Sequence, residues 1–103
     1  MSSAVLIGFG RIGYAVALDF YNSNMQLTVV DSSPSRLKFA FQVFGFNVVN
    51  IDVTNIDELE KVKRYDLAIV ALPGSLAFRV VSKLVDLGLD VVDVSYFPED
   101  PWP

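Results

Sequence analysis

The turn Gly8-Phe9-Gly10-Arg11-Ile12-Gly13 follows the apolar run Ala4-Val5-Leu6-Ile7, and this junction decides the fold. The apolar run predicts a buried strand, and the glycine-rich turn predicts a sharp entry into a helix. In such a G-x-G-x-x-G turn, Gly8 permits the tight bend and Gly10 permits a ligand to approach the backbone, while Gly13 permits close packing of helix against strand. The first N–H groups of the helix have no intrahelical partner, so the junction predicts a binding site for an anion such as a pyrophosphate.

Short apolar segments alternate with helical segments along the rest of the chain. We predict strands at residues 4–8, 27–30, 48–51, 67–71 and 90–94, and helices between them at 11–21, 34–44, 54–64 and 75–87. Strands that are apolar on both faces and separated by helices are typical of a parallel sheet covered on both sides. The sequence therefore predicts an α/β fold, a Rossmann-like doubly wound parallel sheet of about five strands in the order 3-2-1-4-5.

Two of the predicted helices carry recognisable capping residues. Ser33 precedes Pro34, which predicts an N-cap followed by proline at the first helical position. Gly45 has the left-handed freedom that favours a helix end, so this helix is predicted to stop there. Thr54 lies three residues before Asp57, which resembles a capping box and predicts that Thr54 caps the next helix.

Asp31 ends the second predicted strand, 18 residues after Gly13, close to the spacing of about 20 that dinucleotide-binding folds show. A carboxylate there accepts hydrogen bonds from the hydroxyls of the adenosine ribose and repels a 2′-phosphate, which favours NAD over NADP. Ser32 and Arg36 follow closely, and an arginine at that distance can hold a 2′-phosphate, so NADP stays possible. The alternative is that Asp31 caps the following helix, and the two roles can coexist.

Other candidate contacts lie in the glycine turn and after the third strand. Arg11 can reach a phosphate from the turn, although exposure to solvent also explains an arginine there, and Ile12 is predicted to contact the cofactor with the rest of the turn. Asp52 and Val53 follow the third strand, where adenine would lie. Turn formation before Thr54 explains them about equally well.

The loop after the fourth strand lies at the predicted topological switch point. Leu72, Pro73 and Gly74 form this loop. Pro73 stiffens it, and Gly74 leaves space for the ribose nearest the nicotinamide. The alternative is a simple strand-to-helix turn with Ser75 as the helix cap.

The composition excludes several classes of function. The 103 residues include no cysteine and no histidine, which removes disulfides, thiolate chemistry, Ser-His-Asp arrangements and most zinc sites. The net charge of −4 argues against a nucleic-acid partner. No apolar run is long enough for a membrane span, and we expect a cytoplasmic protein. No residue is identified as catalytic or as a metal ligand.

The end of the chain is expected to leave the domain. We assign residues 1–95 to a dinucleotide-binding domain and residues 96–103 to a tail leading towards a second domain that this chain lacks. Asp93, Ser95 and Glu99 lie where the nicotinamide end of a dinucleotide would project. Exposed aromatic side chains, Tyr96 among them, predict a missing catalytic domain or a second copy of the chain at this edge. The alternative is a frayed polar and aromatic terminus.

Several segments together resemble a known family. They are residues 8–13 with 15–19, 31–34, 51–54, 65–67 with 71–74 and, most specifically, 88–100. These segments resemble the N-terminal cofactor-binding domain of the saccharopine dehydrogenase and lysine dehydrogenase family. The resemblance implies NAD(P)-dependent oxidation of an amine carbon of lysine-like or saccharopine-like amino acids, with substrate-binding groups in a following domain.

A second interpretation belongs to another class of function. The glycine turn and Asp31 also resemble the nucleotide-sensing regulatory domains of potassium channels and transporters. Such a module would bind NAD(H) or an adenine nucleotide and would signal by changing subunit contacts without turnover.

Overall fold

Five short strands form one parallel sheet in a computed structural model that describes residues 3–96. They are β1 (Ala4–Ile7), β2 (Thr28–Asp31), β3 (Asn47–Asn50), β4 (Leu67–Val70) and β5 (Asp90–Asp93). Their order in the sheet is β3-β2-β1-β4-β5, which confirms the predicted topology. The central strand β1 pairs with β2 on one side and β4 on the other, and Val5 lies opposite both Thr28 and Ala68.

Helical segments connect the strands. They are α1 (Arg11–Asn22), α2 (Pro34–Phe39), a π-helical turn (Ala40–Phe44), a 3₁₀ helix (Ile56–Val62) and α3 (Gly74–Asp86). Successive side chains of a strand point to opposite faces of the sheet. Val5 and Ile7 accordingly lie in one apolar core with α3 and the 3₁₀ helix, whereas Leu6 lies in a second core with α1 and α2. The sheet is therefore covered on both faces, as predicted.

The helix predicted at residues 34–44 is two segments in the structure. Ser33 is the N-cap, its side chain accepting the Arg36 N–H at 3.4 Å, and Gly45 ends the helical region with a φ of 73°, both as predicted. Between them the backbone widens into the π-helical turn after Phe39. This places the Phe44 ring 5.1 Å from Tyr21 and 5.5 Å from Phe46, centroid to centroid. Packing of these aromatic rings accompanies a change of helical pitch that capping residues do not predict.

The capping box predicted at Thr54 is wrong. Asn55 is the N-cap of the 3₁₀ helix, and its side chain makes no capping hydrogen bond. The Thr54 hydroxyl instead donates to Asp52 Oδ1 at 2.6 Å. Asp52 therefore closes its own turn with Thr54, in the manner by which Asp side chains compete with helix caps.

Gly13 holds α1 against the end of β1. A Cβ built at Gly13 would collide with the carbonyl oxygen of Gly8. Because the obstacle is backbone, it can yield only if the turn itself moves. Direct packing of backbone against backbone at Gly13 therefore fixes α1 relative to the glycine turn.

We expect Gly13→Ala to lower the free energy of unfolding by about 3 kcal/mol, the upper end of the range for overpacked sites. Gly45→Ala is the control, because a Cβ there meets nothing within 4 Å and the change should cost only the roughly 1–2 kcal/mol of a left-handed alanine. Urea denaturation of the two variants measures both quantities. No loss of stability in Gly13→Ala would show that glycine is not sterically required there, because alanine is otherwise favoured over glycine in a helix.

Candidate functional site

The glycine turn is pressed against the end of β4. Gly8 has a φ of +102°, a conformation that glycine adopts without strain. A Cβ there would collide with the carbonyl oxygen of Ala71. The Gly8 N–H donates to the carbonyl oxygen of Val30 at 2.8 Å. The turn is thus fixed between the ends of β2 and β4.

Gly10 is in a different position from Gly8 and Gly13. Its φ is −88°, and the nearest atom to a Cβ built there is the hydroxyl oxygen of Tyr96, at 3.9 Å. That separation is an ordinary van der Waals contact, so the described part of the fold does not itself require glycine at this position. The missing side chain leaves the Gly10 backbone open at the place where a diphosphate approaches a G-x-G-x-x-G turn.

The amino end of α1 supplies hydrogen-bond donors beside Gly10. The Tyr14 N–H donates to the Gly10 carbonyl oxygen at 2.8 Å. The amides of Arg11, Ile12 and Gly13 precede this bond and so have no intrahelical acceptor. The Arg11 side chain is exposed, whereas the Ile12 side chain packs against the core. Ile12 therefore has only its backbone N–H to offer an anion.

Asp31 is a buried carboxylate, with 8% of the residue exposed. Its Oδ2 accepts the Phe9 N–H and its Oδ1 accepts the Ser33 N–H, both at 2.8 Å. A guanidinium nitrogen of Arg36 lies 3.8 Å from Oδ2. A carboxylate has about four acceptor sites, so Asp31 keeps capacity for further donors such as ribose hydroxyls. The hydrogen bond to Phe9 joins this residue directly to the glycine turn.

The residues after Asp31 divide between the helix cap and the surface. Ser33, rather than Asp31, is the N-cap of α2. The interpretation of Asp31 as the cap itself is therefore wrong, although Asp31 positions the cap by binding the Ser33 N–H. Ser32 is exposed, and the Arg36 side chain is 57% exposed. Both side chains are accessible beside Asp31.

Asp52 and Val53 lie beside the end of β2, because the neighbouring Ile51 N–H donates to the Asp31 carbonyl oxygen at 3.2 Å. Val53 packs against the core, and Asp52 is exposed. The hydroxyl of Thr54, and then its N–H, hold the pKa of Asp52 below its usual value. The turn interpretation of Asp52 is confirmed by these bonds, and its contact with adenine stays a prediction.

Residues 72–74 lie on the other side of the glycine turn from Asp31, because β4 and β2 flank β1 in the sheet. Leu72 is buried, Pro73 precedes α3, and α3 begins at Gly74 rather than being capped by Ser75. The Ser95 hydroxyl accepts the Leu72 N–H and donates to the Val70 carbonyl oxygen, both at 3.2 Å. The chain after β5 is thereby fastened to the loop after β4.

Two residues near this loop make contacts that the sequence analysis does not predict. Ser95, expected near the nicotinamide, uses its hydroxyl to join β4 to the segment after β5. Tyr96, assigned to the tail, is hydrogen-bonded to the loop: its N–H donates to Leu72 at 3.2 Å, and its carbonyl accepts the Gly74 N–H at 2.6 Å. The strand order would have indicated this, since residues following β5 must lie beside residues following β4. Glu99 lies outside the described residues.

The glycine turn, Asp31 and loop 72–74 follow β1, β2 and β4, at the edge where doubly wound sheets bind nucleotides. Fold and geometry together define a Rossmann-type nucleotide-binding domain. The TrkA-N domain family matches residues 4–92. The chain therefore belongs to the TrkA-N domain family.

Individual relatives perform different functions. The redox-sensing transcriptional repressor Rex of Chloroflexus aggregans is 31% identical over 107 aligned positions, covering 95% of this chain and 48% of Rex. Saccharopine dehydrogenase (L-Glu forming) of Saccharomyces cerevisiae is similar in structure, with a TM-score of 0.80, 23% identity, and coverage of 96% of this chain and 23% of the enzyme. RSP, a Rex-family repressor solved with β-NADH, gives a TM-score of 0.63, 24% identity, and coverage of 92% and 46%. The chain thus spans about half or less of each of these proteins.

Neither a membrane-spanning helix nor a metal-binding cluster is present in residues 3–96, the part of the chain that the structure describes. No helix in this range is long and apolar enough to cross a membrane. Within the same range, no group of three or more Asp and Glu side chains is arranged to hold a metal ion.

We expect Thr54→Val to raise the pKa of Asp52 towards its usual value, because one of its two donors is lost. A carboxyl whose pKa is lowered by folding stabilises the protein above its unfolded pKa, and that contribution is lost as pH falls through the folded pKa. The variant should therefore lose stability at neutral pH and match the wild type in strong acid. NMR titration of the Asp52 carboxyl carbon measures the shift. Thr28→Val, at the opposite end of the sheet, is the control; an unchanged Asp52 titration in Thr54→Val would contradict this account.

Proposed function

We propose that this domain binds NAD(H) across the carboxyl edge of the sheet, with the diphosphate over Gly10. The observation that carries the proposal is the open space at Gly10. Gly8 and Gly13 are explained by the backbone atoms that a Cβ would strike, whereas no atom of the described fold excludes a Cβ at Gly10. A ligand that lies against the backbone would explain why the turn has a glycine at Gly10.

The diphosphate would lie at the amino end of α1. The free amides of Arg11, Ile12 and Gly13 converge there, at the positive end of the helix dipole. The exposed guanidinium of Arg11 adds a positive charge at the same end. The site thus offers donors and charge to an anion without needing a metal ion.

The adenosine ribose would lie at Asp31. Its carboxylate is held by the Phe9 and Ser33 N–H groups, and it keeps acceptor sites for further donors. Ribose hydroxyls suit those sites, whereas a 2′-phosphate would be repelled. Arg36, already 3.8 Å from the carboxylate, partly offsets that repulsion. The balance favours NAD(H), with NADP(H) as the weaker ligand.

In the role we favour, the domain holds the cofactor of an amino-acid dehydrogenase related to saccharopine and lysine dehydrogenases. The sequence resemblance at residues 88–100 supports this role, and the shared fold with saccharopine dehydrogenase agrees with it. The bound nicotinamide would supply the hydride chemistry, and this chain would bind and orient it. Residues 96–103 would lead to a second domain carrying the substrate site, so the chain alone would not turn over.

A second role is nucleotide sensing. Membership of the TrkA-N domain family and the 31% identity to the redox-sensing repressor Rex favour it. In this role the ligand would alter contacts between domains or subunits, and no amino-acid substrate would be bound.

We expect Gly10→Ala to keep the stability of the wild type and to bind NADH about 10- to 100-fold more weakly, the equivalent of roughly 1–3 kcal/mol of overpacking. Isothermal titration calorimetry measures the affinity. Gly88→Ala is the control for affinity, because a Cβ there meets nothing within 4 Å and lies at the far end of α3. Its φ of +93° makes the alanine strained, so this control should lower stability and leave NADH affinity unchanged. Wild-type affinity in Gly10→Ala, or no NADH binding by the wild type at millimolar concentration, would overturn the proposed site.

The same titration with AMP tests whether the nicotinamide half is recognised. NADH binding well above AMP binding means that it is recognised, as a dehydrogenase or a redox sensor requires. Equal affinities mean that only the adenylate half is recognised, which favours a sensor of adenine nucleotides.

We expect the wild type to bind NADH at least about tenfold more tightly than NADPH, one tenfold step being about 1.4 kcal/mol. Asp31→Ala should lose this preference, because the charge that repels the 2′-phosphate is gone and Arg36 is freed to bind it. Asp52→Ala removes an exposed carboxylate at the end of the next strand and should keep the preference. A preference that survives in Asp31→Ala would place the ribose elsewhere.

A further inference from the structure

Tyr96 lies between the loop after β4 and the glycine turn. Its backbone is bonded on both sides to the loop after β4, through Leu72 and Gly74. Its hydroxyl oxygen lies 3.9 Å from the position of a Cβ on Gly10. Since β4 is the neighbour of β1, the ring passes from the loop after β4 to the glycine turn, across the topological switch point.

The position of Tyr96 is firmly set. Besides its own two backbone hydrogen bonds, the preceding Ser95 is tied to Leu72 and Val70 through its hydroxyl and to Asp93 Oδ1 through its N–H at 2.9 Å. A residue whose backbone is anchored in this way loses less freedom when it meets a ligand, which favours binding.

Tyr96 does not serve the apolar cores. It is half-buried, yet it belongs to neither core cluster and is not among the residues packed against them, unlike Tyr65 and Val94. Core packing therefore does not explain the ring. Its hydroxyl oxygen is instead the nearest atom to a Cβ placed on Gly10, the glycine of the G-x-G-x-x-G turn at which no backbone atom would obstruct a side chain.

The chemistry at this point suits a hydroxyl donor. A tyrosine hydroxyl carries one O–H group that can donate a hydrogen bond. Bonds to anionic oxygens are stronger than bonds between neutral groups. Beyond Tyr96 lies a groove of about 220 Å³ that Gly74, Phe78, Asp93 and Ser95 help to line. A ligand running from Asp31 over Gly10 passes Tyr96 before it reaches this groove.

We propose that Tyr96 is a ligand-binding residue whose hydroxyl donates a hydrogen bond to the diphosphate of the bound nucleotide. The proposal rests on the proposed function, since it needs a diphosphate over Gly10. It assigns to Tyr96 the closing of the anion site from the side opposite the α1 amides. Tyr96 thereby joins the diphosphate to the loop after β4.

The test compares Tyr96→Phe with the wild type, using ADP and NADH as ligands that carry a diphosphate and adenosine as one that does not. We expect Tyr96→Phe to bind ADP and NADH about tenfold more weakly, as on loss of one hydrogen bond to a charged acceptor. Adenosine affinity, measured by ligand-observed NMR, should be unchanged. The control is Tyr65→Phe, which removes a 2.9 Å hydrogen bond to Thr28 at the opposite end of the sheet. It should lower stability and leave all affinities unchanged.

The outcomes distinguish this proposal from the proposed function. If the wild type binds ADP and NADH and Tyr96→Phe binds them equally well or more tightly, Tyr96 is no donor and the nucleotide site stands. If Tyr96→Phe weakens adenosine by the same factor, its effect is on the shape of the site and the proposal is wrong. If the wild type binds none of these ligands, the proposed function fails and this proposal fails with it.

Discussion

The hydrogen bond from the Phe9 N–H to the buried carboxylate of Asp31, 2.8 Å long, is the constraint on which the site depends. It joins the loop after β1 to the end of β2, so the two segments that a dinucleotide would contact cannot move independently. Burial makes the bond costly to leave unmade, because an unpaired N–H or carboxylate in this position would have no water to replace its partner. One carboxylate thereby shapes the glycine turn, holds the cap of α2 through Ser33, and keeps acceptor sites for a ligand.

The sheet could be predicted almost completely from the sequence. Apolar runs of four or five residues separated by helical segments determine strand number and, with the usual crossovers, strand order. The glycine turn could also be predicted in detail. At Gly8 and Gly13 a side chain would collide with backbone atoms, and these collisions follow from the strand-to-helix geometry. What such patterns encode is local and steric, and that part of the structure followed from it.

Other features depended on side-chain contacts that the residue pattern does not specify. The Thr54 hydroxyl donates to the carboxylate of Asp52, two residues before it, and is therefore not available to cap the helix. Phe44 packs against Tyr21 and Phe46, and the backbone around it takes a wider pitch. The hydrogen bonds of Tyr96 to the loop after β4 follow from the strand order, but the position of its hydroxyl beside Gly10 does not. In each case a partner that spacing does not reveal decided the outcome.

Among residues 3–96, β5 is the last strand of the sheet, and its outer edge determines how the sheet can be extended. Asp90 and Asp93 lie at its two ends and are exposed, as is Val92 between them. Two copies that met edge to edge in antiparallel fashion would set Asp90 of each strand opposite Asp93 of the other. Like charges placed directly across a strand pair repel, and charged residues on an edge discourage fibre-like stacking. The two aspartates therefore favour pairing of β5 with a strand that carries positive charge and disfavour antiparallel pairing with a second copy of β5. This edge thereby resists self-polymerisation of the sheet.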